Sequence, residues 1–369
     1  MYGQDGTEDI FFMMLYGAVA LLALVAAFYL FFRRGNAFAS GITPPVALRR
    51  FTAIFLGTMF LSHLWWFLLG SVWLTDDMLV RNILVIALDN VTLIPLAMCI
   101  LLRLLQDRRR RLWPVALAAF PVVFIAVWGI VQRNPQAELY MSVYTLVIIL
   151  IFAIDIIYAV RQYGYWLADN YADLEHKEVW QSLLAPVCLF PLYIAYTFHE
   201  GSIQREYLSQ IFSLALVFYL TWRVETLQHL ENAMPEELTP GVEPKAHYAN
   251  ASTPLPSNIG LLLERYCEAT RLYLQRDLTL AQLAEAVGTN RTYLSQYFAQ
   301  QGITYNNYIK RLRIEYFLKL YSEAAANPQQ PFTAQMLAQK SGFSSYSTFS
   351  AAFKQYTGQN VTTWMKSRE

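Results

Sequence analysis

Charge and cysteine are both scarce in this sequence. Asp, Glu, Lys and Arg make up 15% of the 369 residues, against 56% hydrophobic ones. The chain is therefore too apolar for an ordinary soluble protein, and it is long enough for two domains. The three cysteines, Cys99, Cys188 and Cys267, stand far apart in apolar surroundings, with no Cys-x-x-Cys and no histidine at metal-ligand spacing. That pattern excludes a thiolate metal centre and reads them as small buried apolar residues. No His-Glu-x-x-His or Gly-x-Ser-x-Gly occurs, and His199 with Glu200 lacks a second histidine. An intramembrane enzyme thus has no residues to work with, and no catalysis, metal or other cofactor is expected.

What is present falls into two parts that suit different solvents. Nearly all the apolar excess lies before residue 223, in long uncharged runs broken by short polar stretches. A helix needs about 20 apolar residues to cross the hydrocarbon core, because each residue adds about 1.5 Å and lipid cannot satisfy open backbone groups. Seven segments qualify: Ile10 to Phe32, Phe51 to Leu74, Asn82 to Leu102, Leu112 to Val131, Leu139 to Val160, Trp180 to Phe198 and Tyr207 to Trp222. The first follows an acidic leader and is too long for a signal-peptide core, so it is expected to be a retained span.

Basic loop residues set the expected orientation. Arg33, Arg34, Arg49, Arg50, Arg103, Arg108 to Arg111, Arg161 and Lys177 fall in the odd-numbered loops, while the other side carries Arg81, Arg133 and Arg205. The N-terminus is then outside and the C-terminal part cytoplasmic, at a bacterial inner membrane. The external loops are all short, which excludes a folded receptor domain there. Whatever is sensed enters the bundle, lies in the bilayer or is another membrane protein. Asp89 with Asn90, and Asp155, are intramembrane polar groups and the expected ligand or sensing positions. The plainer reading makes Asp89 and Asn90 an interhelical hydrogen-bond knot and Asp155 a partly hydrated helix end. Pro95, Pro121, Pro186 and Pro191 would kink their helices.

Residues 223–254 read as a juxtamembrane helix and a Pro-rich linker. Val217, Leu220, Val224 and Leu227 form a short apolar seam that could pair two copies of the chain, although Glu231 breaks the next position and a solvated helix end is the plainer reading. From Pro235 to Pro256 the tether reaches at most about 70 Å, at about 3.1 Å per residue in polyproline II form. Such a tether couples the two halves by proximity.

The last part, residues 255–369, has twelve Lys and Arg against seven Asp and Glu, the modest basic surplus of a polyanion binder. It contains a repeat: Leu283, Ala284 and Gly288 recur as Leu337, Ala338 and Gly342, and Leu294 and Phe298 correspond to Phe349 and Phe353. Each copy reads as a bracing helix, a glycine turn and a second helix, the layout in which the second helix enters the major groove. Thr279 and Thr333 are expected caps of the bracing helices and Asn290 of the first recognition helix, with Ala281 among the first unit's apolar contacts. Tyr305 to Tyr321 reads as one long helix between the units.

From Asn258 to Lys366 the sequence resembles the AraC-type DNA-binding domain, a bihelical all-α module. The matching stretches are LAEAVGTNRTYLSQYF, YIKRLRIEYF with Arg313, and LAQKSGFSSYSTFSAAFKQYTG. The chain departs from the family pattern at Phe317, where alanine is usual, at Asn360 and Val361, at Gly302, and at Ala351, where a basic base-reader is common. The resemblance implies DNA contacts at Asn290, Arg291, Thr292, Ser295, Gln296 and Arg313, and at Ser345, Tyr346, Ser347 and Ser350. The expected architecture is all-α: a seven-span transmembrane bundle over residues 1–222, followed by the double helix-turn-helix domain. The expected function is a membrane-embedded one-component transcriptional regulator. The alternatives are a transporter with an autoregulatory helix-turn-helix domain and a chromosome tether. The partners implied are double-stranded DNA, the lipid bilayer, an unidentified small or hydrophobic ligand or membrane protein, a second copy of the chain, and RNA polymerase. The loop charge asymmetry carries a direct expectation: an alkaline phosphatase fused after Glu369 stays inactive, and an active fusion would refute a cytoplasmic C-terminus.

Overall fold

A computed structural model describes residues 6–33, 35–39, 41–69, 77–180, 203–230, 258–326 and 332–368. Among the described residues every regular element is helical, and the one sheet-like contact is an isolated antiparallel bridge between Tyr171 and Thr279. The first six helices are α1 (Gly6–Phe32), α2 (Val46–Phe67), α3 (Met78–Leu104), α4 (Trp113–Val131), α5 (Gln136–Asn170) and α6 (Ile203–Thr226). The later ones are α7 (Ile259–Leu263), α8 (Leu280–Val287), α9 (Arg291–Gln300), α10 (Tyr305–Ala325), α11 (Ala334–Lys340), α12 (Tyr346–Thr357) and α13 (Val361–Lys366). The chain divides into two compact units: Met1–Tyr163 with Val179–Met234, and Gly164–Glu178 with Pro235–Glu369.

In the first unit five helices are long and apolar enough to cross a membrane: Ile10–Phe32, Met78–Leu104, Trp113–Val131, Gln136–Asn170 and Glu206–Thr226. They fall on the first, third, fourth, fifth and seventh expected spans. The second expected span is occupied by α2, which starts earlier and takes Arg49 and Arg50 into its first turns, so its apolar character is diluted. The sixth expected span, with Pro186, Pro191 and Cys188, lies outside the described residues apart from Trp180. Helices α3 and α4 run through Pro95 and Pro121. α1 packs on α2 and α6, α2 on α3, and α3 on α4.

This unit is turned inside out relative to a soluble protein. Phe124 is 71% exposed and Ile154 is 73% exposed, while Ser62, His63, Asn90, Gln210 and Glu225 are buried. Buried polar groups need partners, and most here have them. Asp89 on α3 accepts from Ser62 Oγ at 2.7 Å, Trp65 Nε1 at 3.1 Å and Trp66 Nε1 at 2.8 Å, all on α2. His63 faces the Met59 carbonyl at 2.8 Å and Gln210 Oε1 of α6 at 3.0 Å. Glu225, near the end of α6, accepts from Tyr29 Oη at 2.6 Å and the Ala37 amide at 3.0 Å, and pairs with Arg49 at 3.4 Å. The structure corrects the dimer seam: Val217, Val224 and Leu227 are buried within this unit, where α6 packs on α1 and α2, and are not free for a second copy. The tether from Pro235 to Pro256 lies outside the described residues.

The second unit has two apolar cores strung on one rod. The first gathers Leu263, Cys267, Leu278, Leu283, Leu294 and Phe298, and also takes in Ala172 from the stretch after α5. The second gathers Phe317, Leu337, Phe343, Phe349, Phe353 and Val361. Helix α10 supplies both, with Tyr305, Tyr308, Ile309 and Leu312 in the first and Ile314, Phe317 and Tyr321 in the second. Phe317, the large residue where the resemblance calls for alanine, is fully buried with its ring 4.4 Å from Phe349 and 5.6 Å from Phe353. Burial pushes the Cys267 thiol up to about 12, which keeps it protonated and inert.

The two repeat glycines have positive φ for the same local reason and unequal surroundings. Gly288, at φ +75°, has open space where a Cβ would stand. Gly342, at φ +92°, would bring a Cβ to 2.9 Å from Leu274 Cα and from its carbonyl oxygen. Backbone strain alone costs about 1–3 kcal/mol for either alanine. We expect Gly342→Ala to cost more than Gly288→Ala, because Leu274 must also move. Thermal unfolding of the two variants reads this as a larger fall in Tm for Gly342→Ala; equal falls would show that the Leu274 contact does not constrain the turn.

Candidate nucleic-acid interface

The first helix-turn-helix unit is framed by local hydrogen bonds written in its sequence. Thr279 caps α8 in a reciprocal box: its Oγ1 accepts from the Gln282 amide at 3.2 Å, and Gln282 Oε1 accepts from the Thr279 amide at 2.9 Å. Gly288 in the left-handed conformation ends α8, and Asn290 Oδ1 accepts from the Tyr293 amide at 2.8 Å to start α9. Leu294 and Phe298 bury the inner face of α9. Ala281, expected among the apolar contacts, is exposed on α8.

The second unit repeats the plan with different residues. Thr333 caps α11 through the Met336 amide at 3.1 Å, and Ser345 caps α12 through the Thr348 amide at 3.3 Å. Ser345 Oγ also lies 2.9 Å from Ser347 Oγ and 3.0 Å from Thr348 Oγ1. Phe349 and Phe353 turn inward, as the repeat predicts, and Gly358 ends α12 in the left-handed conformation.

The expected groove residues fall on the outer faces of the two recognition helices. On α9, Thr292 is exposed, and Arg291, Ser295 and Gln296 are half-buried, with Asn290 exposed at the cap. On α12, Tyr346 and Ser347 are exposed, and Ser345 and Ser350 are half-buried. Ala351 is exposed and offers no polar group. In helix-turn-helix modules generally, the N-terminal residues of the recognition helix are the ones that meet base edges.

Arg313 requires a correction. It is 1% exposed, and its guanidinium donates to the carbonyls of Tyr273 at 2.7 Å and Gln275 at 2.8 Å. The same group lies over the Phe343 ring, 5.8 Å from its centroid. Burial lowers its pKa, and the nearby Asp173 carboxylate offsets part of that. The side chain ties the stretch after α7 to the turn of the second unit. A basic residue on a long amphipathic helix reads as solvated; only the fold reveals the two carbonyls that capture it.

Sequence reasoning also missed the segment after α5, which is part of this unit. Asn306 Nδ2 donates to the carbonyls of Tyr171 at 3.1 Å and Ala172 at 2.7 Å, and the Ala172 amide donates to the Leu278 carbonyl at 3.0 Å. Lys177 Nζ meets Asp277 at 2.8 Å, and Ser344 Oγ donates to Glu175 at 3.1 Å. The available signal was compositional. Asp169, Asp173, Glu175 and Glu178 cluster around Lys177 in a loop otherwise identified by its basic residues.

Of the expected sensing residues, Asp89 sits in the donor knot with α2. Asn90 is buried and lines a small cavity with Pro95, Met98, Tyr144 and Thr145. Asp155 is exposed on α5. The structure does not bring the three together into one site.

Residues 283–367 match a protein-family model described as a helix-turn-helix domain. Over 120 residues, 31% of this chain, the sequence is 28% identical to an uncharacterized HTH-type transcriptional regulator of Staphylococcus aureus, of which the match covers 14%. A second protein so described, from Staphylococcus aureus strain MRSA252, has the same identity and coverage. No solved structure matches the chain. The C-terminal module is an AraC-type helix-turn-helix domain, carried on the same chain as several helices apolar enough for a membrane.

The burial of Arg313 leads to a two-part expectation. Arg313→Ala strips the Tyr273 and Gln275 carbonyls of their donor and lowers stability by about 3 kcal/mol, since each unsatisfied buried group costs about 1–3 kcal/mol. Arg313→Lys leaves the slope of log affinity against log salt unchanged in the full chain. A slope shallower by about one would mean that Arg313 touches a phosphate after all.

Proposed function

We propose that this chain is a membrane-embedded one-component transcriptional regulator: a seven-span sensory bundle in the inner membrane, its N-terminus outside, controlling sequence-specific DNA binding by the cytoplasmic double helix-turn-helix module. The observation that carries this reading is the pair of recognition helices, α9 and α12. Each is capped, each is buried on its inner face and each has polar side chains outward, in a chain that also carries five helices long enough to cross a bilayer.

The reader positions of the first unit are Asn290, Arg291, Thr292, Ser295 and Gln296, and those of the second are Ser345, Tyr346, Ser347 and Ser350. Glutamine suits a bidentate contact with adenine, so Gln296 is the residue most suited to carry specificity. The serines of α12 make shorter contacts, which assigns the second unit more to the backbone than to base edges. RNA polymerase and a second copy of the chain are the partners such an output would use. A small or hydrophobic ligand reaching the buried polar groups of the first unit would be the input.

Chromatin immunoprecipitation of the intact protein, paired with expression profiling of a deletion strain, tests the reading. Bound promoters whose transcripts change on deletion are expected; bound sites with unchanged transcripts would favour a chromosome tether. Solute flux into vesicles with silent promoters would favour a transporter. On a recovered site Gln296→Ala is expected to cost about 1–3 kcal/mol, and little on random duplex. Equal losses on both would show that Gln296 does not read bases.

A further inference from the structure

The segment that follows α5 touches the residue before the cap of α12, and the cap of α8. Its carboxylates outnumber its single lysine: Asp169, Asp173, Glu175 and Glu178 against Lys177. Glu175 accepts from Ser344, the residue before the Ser345 cap of α12. A helix N-terminus carries open amide groups and partial positive charge, and this is where a DNA phosphate or base-edge acceptor would arrive. Near α9 the segment supplies Tyr171, which pairs with Thr279 in an isolated antiparallel bridge and bears electrostatically on Arg291, the first helical residue. Burial lowers the Arg291 guanidinium below its ordinary pKa, so this cation has already given up much of its water. On α10, burial lowers the pKa of the half-buried Lys310, and the Glu178 and Asp173 carboxylates offset part of that. The backbone of the segment is fixed by Asn306 and by the Ala172–Leu278 hydrogen bond.

We propose that residues 169–178 are an acidic strap that occupies the DNA-facing side of the module, so that strap and DNA compete for it. The strap is the direct continuation of α5, the helix running from Gln136 to Asn170. A change in α5 therefore has a covalent route to the reading heads that does not pass through the Pro-rich tether. This inference rests on the proposed DNA-binding function. The strap presents to the module what a duplex presents: negative charge beside the start of α12 and acidic groups near the half-buried Lys310. It holds a module free of DNA in a satisfied state, and DNA must displace it to reach Arg291 and the start of α12.

The test uses the full chain in lipid nanodiscs and a fluorescent random-sequence duplex at low salt, read by anisotropy. Tyr171→Ala combined with Glu175→Ala is expected to raise affinity about tenfold, the effect of removing a competitor worth that factor. A complementary variant carries Glu175→Cys and Ser344→Cys. Oxidation of that pair is expected to abolish binding, and reductant to restore it. If wild type binds and the double alanine variant binds no better, or the oxidised cysteine pair binds as well as the reduced one, the strap is a structural brace and the proposal is overturned. If no form binds duplex at any salt, the DNA-binding reading falls and the strap proposal falls with it.

Discussion

Everything that this protein can do with a duplex depends on two reading heads being held at a fixed separation, and Arg313 is where that separation is set. Helix α10 runs through both cores, but a rod by itself leaves each lobe free to roll about it. The guanidinium removes that freedom by gripping two carbonyls of the first lobe while lying over Phe343 of the second. A buried cation hydrogen-bonded to two carbonyls is a directional constraint in a way that apolar packing is not. Phe317 complements it one turn further along, filling with a ring the space between α10 and α12. Gly342 lets the second turn approach Leu274 closely enough for the grip to close.

The first unit obeys a different logic. Its outer surface is apolar, so cohesion inside it depends on paired polar groups as well as on packing, as expected where lipid supplies no hydrophobic drive between helices. Asp89 ties α3 to α2, His63 ties α2 to α6, and Glu225 ties the end of α6 to Tyr29, Ala37 and Arg49. Asn36 adds a hydrogen bond to the Glu225 carbonyl, and Gln106 holds the backbone at Gln228 and Leu230. The exit of α6 is therefore clamped on the side where the chain continues to the DNA-binding module.

Much of the module was legible because its signals are local. Thr279, Asn290 and Thr333 cap the helices that follow them within three residues, and the paired Leu-Ala and glycine positions mark the two turns without any knowledge of the partner lobe. Five of the seven expected apolar spans were legible for a related reason: the length and hydropathy that a bilayer demands are properties of each helix separately. Boundaries were less so, because water satisfies a helix that outruns the hydrocarbon. Helix α5 continues ten residues past the expected end at Val160, and α2 begins before its apolar run. What local pattern could not give was partnership at long range. Arg313 reads as an exposed base because the carbonyls that capture it lie some forty residues upstream. The seam on α6 reads as a dimer surface because the helices that bury it come from elsewhere in the chain.

The contribution of Ala172 to the first core means that the boundary in sequence and the boundary in space do not coincide. The family match begins at residue 283 and the composition changes near residue 255, yet the compact unit that contains the module takes in Gly164–Glu178. Recombination that joins a new membrane half at the Pro-rich linker would hand the module a foreign segment opposite Asn306, or leave that amide without its two acceptors. The apolar half and the module are interleaved in the chain, because part of the second is encoded in the middle of the first.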